Sequence, residues 1–147
     1  MAGAFANTLS FLVNIVFTLY LLAVLLRFLL QLVKADFYNP ICQFLMKVTN
    51  LFLLPLRRVI PGYYGIDFAS LVLLYIIEFI YLALLNFITL GIFTPWVFIS
   101  TIFSLLILLV NIYIYAIILK AIASWFQPDY NQYLYRLLVL FTEPLLR

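Results

Sequence analysis

Apolar and polar positions alternate along the chain in two registers. Three stretches, about 9–31, 68–90 and 96–123, are apolar nearly throughout and long enough for the ~20 residues a bilayer crossing needs, so each is expected to be a transmembrane helix. Between the first two, Ile41, Phe44, Leu45, Val48, Leu51 and Phe52 fall on one side of a helical repeat, and Gln43, Lys47 and Asn50 on the other. That pattern predicts an amphipathic helix over about 40–54 lying in the membrane interface. Asn39 is placed as its N-cap and Pro40 at its first turn, where a missing N–H costs nothing. Pro55 is expected to end it. Pro61-Gly62 and Gly65 turn the chain towards Asp67, the expected N-cap of the second crossing. A second short helix is expected over about 131–142, and residues 1–8 are expected to lie outside the first helix.

Composition sharpens this into an all-α integral membrane protein. The 147 residues are 69% hydrophobic and 9% charged, with mean hydropathy +1.25, where a soluble domain carries roughly a quarter charged residues. A single cysteine, Cys42, rules out an intrachain disulfide, and with no histidine the usual metal and haem ligand sets are missing. No cofactor and no metal are expected. The net charge of +3 is too small and too dispersed for nucleic acid. No histidine, Gly-rich phosphate loop or usefully spaced pair of carboxylates points to catalysis, so no enzyme is expected.

The cations are placed asymmetrically. Lys34, Lys47, Arg57 and Arg58 lie between the first two crossings and Lys120, Arg136 and Arg147 follow the third, while the amino terminus and the 89–95 link carry none. The positive-inside rule then puts the amino terminus outside and both the 34–67 loop and the carboxyl tail in the cytoplasm. Arg57-Arg58, with Lys47, Arg27 and Lys120, read as contacts to anionic headgroups or a partner's acidic surface, or as ordinary topology anchors. Arg27, near the end of the first crossing, is expected to snorkel to the headgroups.

Glu78, near the centre of the second crossing, is the sharpest candidate. An acid at that depth serves either as a proton or cation site or as a neutral group locking the bundle. Asn111 lies at a similar depth by rise per residue and is the expected hydrogen-bond partner. Tyr75 and Tyr81 flank the same carboxyl group. Asn14 belongs to a stripe with Asn7, Ser10 and Thr18 suited to bonding a neighbouring helix, and Ser100 and Ser104 read as packing or as a pore lining. Asp36, Asp67 and Asp129 read as helix caps and turn terminators.

A shift of 93 positions aligns Arg27 with Lys120, Asp36 with Asp129 and Thr49 with Thr142. The chain is thus expected to contain two parallel tandem repeats, residues 1–92 and 93–147. On this register Pro55, Arg57-Arg58, Pro61 and Asp67 should have partners beyond Arg147, together with a fourth transmembrane helix, so the second unit is expected to be incomplete. The run D-x-x-NP (Asp36, Asn39, Pro40), then Thr49 and PLRRVIP (Pro55 to Pro61), then G-I-D-F ending past Asp67, is followed by SWFQPDYN with Asp129 and by Thr142, Glu143 and Pro144. This doubled pattern resembles the YggT/YlmG family of small membrane proteins over nearly the whole chain. Asn50-Leu51 stands where the family tends to have an acid and a proline, and a second P-x-R-R is missing.

The resemblance implies a non-enzymatic protein of the bacterial inner membrane. Bacterial members are associated with osmotic or envelope stress and lie beside cell-division genes, and plastid relatives are linked to thylakoid or nucleoid organisation and cytochrome assembly. Partners are expected to be membrane lipids and either other integral membrane proteins or further copies of the chain. The competing expectation is a small ion transporter or channel component working through Glu78 and Asn111.

Overall fold

A computed structural model describes residues 2–35, 38–126 and 133–146. Five helices follow in order: α1 (Ala2–Leu32), α2 (Pro40–Val59), α3 (Phe68–Leu90), α4 (Val97–Trp125) and α5 (Tyr133–Leu146). Among the described residues there is no strand, only an isolated bridge between Tyr63 and Ile66 where the chain turns into α3. Three helices, α1, α3 and α4, are long and apolar enough to cross a membrane. The protein is all-helical with the character of a multi-pass membrane protein. Asp36 and Asp129 lie outside the described residues.

The helix ends follow local chemistry. The Asn39 side chain accepts from the Ile41 N–H, and Asp67 accepts from Ser70, so both expected caps are present. Gly91 closes α3 in the left-handed conformation (φ 69°), which only a residue without Cβ adopts cheaply.

Two expectations need correction. Ala2 to Thr8 is helical and belongs to α1, since nothing in that apolar, proline-free run interrupts it. Pro55 does not end α2, which continues to Val59. A proline inside a helix removes one hydrogen bond and costs ~3 kcal/mol. Here Leu53 is fully buried before it and Arg57 is tied to two other helices after it, which holds the last turn in place.

α3 is central, packing against α1, α2 and α4, while α5 packs on α4. Lipid tails are as apolar as leucine, so these helices associate by close packing and hydrogen bonds rather than by escaping water. The small residues Ala69 and Ser70, both fully buried, let the start of α3 approach its neighbours, and Leu21, Val24 and Leu25 of α1 fill the adjoining core. α2 buries Cys42, Leu45, Thr49 and Leu53 on one side and leaves Gln43, Lys47 and Arg58 exposed on another. Helix spacing has a regularity: α1 ends at 32 and α4 at 125, 93 residues apart.

Candidate functional site

Among the described residues, the buried charged side chains mark three places inside this apolar chain. The first two lie where α1, α2 and the start of α3 meet. Arg27 of α1 is only 5% exposed. Its guanidinium donates to Thr49 Oγ1 and, at 2.8 Å, to Asn50 Oδ1 of α2. Thr49 in turn donates to the Leu45 carbonyl at 2.7 Å. The expectation that Arg27 snorkels to headgroups is therefore wrong. α2 folds across it and supplies hydrogen-bond acceptors, so the charge is held inside the protein.

Two turns further along α2, Arg57 links three elements. It donates to the Asp67 carboxylate at the start of α3 and to Gln31 Oε1 at the end of α1, the latter at 3.2 Å. Ser70 Oγ donates to the same carboxylate at 2.7 Å. Burial pushes the Asp67 carboxyl group up, but the Arg57 guanidinium and the Ser70 hydroxyl and N–H outweigh it and hold the group below the usual carboxylate range. The arginine pair thus divides: Arg57 is engaged within the fold, whereas Arg58 is exposed, as is Lys47 on the same side of α2.

The third place is Glu78, 3% exposed in the middle of α3. Its partner is Ser104 Oγ of α4, which donates to Oε1. Asn111, the expected partner, lies exposed on α4 two turns further along. Tyr75 turns instead to the Phe98 carbonyl at 3.4 Å, and Tyr81 stacks on Phe17 with ring centroids 5.6 Å apart. Asn14 accepts from Thr18 one turn along its own helix at 3.0 Å. With Asn7, Ser10, Asn86, Thr89 and Ser100 it lines a polar crevice of 680 Å³ between α1, α3 and α4. Lys120 is half-buried on α4. Thr142 of α5 is fully buried and donates to the Leu138 carbonyl at 2.9 Å, repeating the Thr49 arrangement. Pro55 is exposed, Pro61 lies in the turn before α3, and Pro144 falls within the helical span of α5.

Sequence reasoning missed two contributors. Ser104 was read as packing or as a pore lining, although its spacing from Ser100 and Asn111 put all three on one face of α4 and so made it as good a candidate for Glu78 as Asn111. Asn39 was read as a cap alone, yet its amide nitrogen also donates to the Tyr133 carbonyl at the start of α5, at 3.3 Å. No group of three or more His, Cys, Asp or Glu able to hold a metal occurs among the described residues. A nearly all-apolar groove of 1030 Å³ runs between α1, α2 and α3, lined by residues such as Tyr20, Phe44, Phe52 and Leu73.

No solved structure matches the chain. A protein of Escherichia coli named uncharacterized protein YggT is 39% identical over 142 residues, which is 96% of this chain and 73% of the relative. An uncharacterized protein of Pseudomonas aeruginosa is 44% identical over 118 residues, 78% of this chain and 60% of the relative. One from Haemophilus influenzae is 31% identical over 126 residues, covering 86% and 67%. The family model described as CCB3/YggT matches residues 6–88 and 99–147, segments whose starts are 93 positions apart. With both segments and these relatives in agreement, the chain belongs to the CCB3/YggT family.

Proposed function

We propose that this protein is a non-catalytic organiser of the bacterial inner membrane, acting in envelope organisation, osmotic or envelope stress, or assembly of a membrane protein complex. The observation that carries this reading is how its charges are spent. Arg27, Arg57 with Asp67, and Glu78 each bind a polar group on a neighbouring helix, so the buried charges hold helices together. What remains exposed on α2 is Lys47 and Arg58 beside Phe44, Leu51 and Phe52, a basic edge next to an apolar one. Such a surface suits the anionic cytoplasmic leaflet, at ~1 kcal/mol per cation. The broad apolar faces of α1 and α4 suit lateral contact with other membrane helices. On this reading the amino terminus lies outside and the 34–67 loop in the cytoplasm.

The test pairs co-purification with one substitution. A tagged protein extracted in native lipid is expected to bring down a stoichiometric membrane partner, identified by mass spectrometry. Glu78→Gln keeps an acceptor for Ser104, so it should leave ion movement in proteoliposomes unchanged and alter at most the yield of that complex. Loss of ion flux in Glu78→Gln with assembly intact would overturn the proposal.

A further inference from the structure

The groove between α1, α2 and α3 has limits that say what fits in it. On α1 its lining runs from Val16 to Leu26, and on α3 from Leu73 to Ile80. The rise from Val16 to Leu26 is about 15 Å, half of the ~30 Å hydrocarbon core of a bilayer. Beside Leu26, α2 lies across α1, where Arg27 donates to Thr49 and Asn50. Phe44, Val48, Phe52 and Pro55 of α2 form the third wall. The groove therefore has the depth of one leaflet and ends under α2. A transmembrane helix, which must cross the whole core, has no continuous path along it. Phe44, Phe52 and Ile76 line the groove yet stay exposed, so it is open rather than sealed.

Its walls suit hydrocarbon. Tyr20 is the one lining residue with a polar side-chain atom. Its ring stands edge-on to Phe52 with centroids 5.8 Å apart, and its hydroxyl oxygen is buried, so the groove meets the ring and not the hydroxyl. A polar ligand would lose its hydration there and gain no partner. Positive charge adjoins the third wall. Lys47 lies three residues from Phe44 and Arg58 three from Pro55, a spacing that makes each the neighbour of a lining residue on the surface of α2. Both cations are exposed, and α2 contains no acidic residue to neutralise them.

We infer that this groove seats one acyl chain of an anionic glycerophospholipid from the leaflet that α2 lies in, with the phosphate drawn to Lys47 or Arg58. The inference rests on the basic edge of α2 meeting an anionic leaflet, and makes that contact a single seated lipid instead of diffuse attraction. The depth matches one leaflet's chain, the apolar walls match its hydrocarbon, and the adjoining cations match the sign of its headgroup. A neutral lipid could fill the groove but would leave both cations unmatched.

The test is native mass spectrometry of the intact protein, released from vesicles of phosphatidylethanolamine with a minority of phosphatidylglycerol. One phosphatidylglycerol per chain is expected to survive activation that strips the other lipids. Ala23→Phe fills the groove from α1 and should abolish that adduct; Ile76→Trp, which fills it from α3, should do the same and gives an independent reading if the first variant fails to insert. Replacing both cations, Lys47→Gln with Arg58→Gln, should leave an adduct that has lost the preference for phosphatidylglycerol. An adduct that persists in both groove-filling variants, a parent adduct that mirrors the vesicle composition, or a preference unchanged without the two cations would each overturn the inference. Co-purification of a membrane partner is scored separately in native lipid: its absence from the parent refutes the organiser reading, while the adduct alone decides the lipid seat.

Discussion

Asp67 is the point where removal of a few atoms should be felt furthest. Its carboxylate caps α3, accepts from Ser70 and holds Arg57, which also reaches Gln31. In Asp67→Ala, loss of the N-cap costs ~1 kcal/mol. The ion pair adds about 1 kcal/mol, the low end for charged hydrogen bonds, because the Arg57 side chain is 36% exposed and water competes for it. The fully buried Ser70 hydroxyl then lacks its acceptor, at a cost of ~1–3 kcal/mol. A destabilisation of about 3–5 kcal/mol is expected for Asp67→Ala. Asp67→Asn should lose only about 1 kcal/mol, because asparagine caps as well as aspartate and its amide oxygen still accepts from Ser70. The assay is unfolding in mixed micelles at rising SDS fraction, followed by helicity and combined with Arg57→Ala in a double-mutant cycle. If the alanine and asparagine variants unfold within about 0.5 kcal/mol of each other and the cycle shows no coupling, the carboxylate does not join these three elements and the reasoning fails.

Three further outcomes are expected. Because the folded carboxyl group of Asp67 is held below its unfolded value of about 3.9, its contribution is complete above that pH and is lost as pH falls through the folded value. Micellar stability should thus be flat from pH 7 to 5 and fall below about pH 4, with a shallower fall in Asp67→Asn. Arg27→Met should stay within about 1 kcal/mol of the parent, since a desolvated charge is removed along with its hydrogen bonds and Thr49 keeps the Leu45 carbonyl. Arg27→Ala leaves a cavity, should cost about 2 kcal/mol or more, and should speed maleimide labelling of the buried Cys42. Pro55→Ala restores a backbone donor inside α2 and should stabilise the protein by about 1–2 kcal/mol; a measured loss would mean the ring is needed in the groove it lines.

The crossings were legible because a bilayer demands a length of apolar chain that few other requirements imitate: α3 runs Phe68–Leu90, as its hydropathy and the Asp67 cap indicate. Asn39-Pro40 marked the start of α2 for equally local reasons. Arg27 was misread because snorkelling is a rule for a helix alone in lipid, and sequence does not say that α2 folds back over that side chain. Asn111 was matched to Glu78 on depth, but counting rise along each helix does not say how far α4 is shifted along α3, and the shift brings Ser104, on the same face two turns earlier, to the carboxyl group. Pro55 was read as a terminator because its local cost is plain in sequence, while the Arg57 tether that offsets it joins residues from three helices.

The Asn39 side chain has a consequence for how the protein is made. Its oxygen serves the Ile41 N–H and its nitrogen the Tyr133 carbonyl, two tasks of opposite polarity. Serine or aspartate could cap α2, but only a carboxamide caps with one atom while donating with the other. The receiving carbonyl is separated from it by 94 residues and so leaves the ribosome only after α3 and α4 have been synthesised. The α2 cap can form early in biogenesis, but its tether to α5 must wait until the second half of the chain has arrived, so the start of α2 records whether both halves have met.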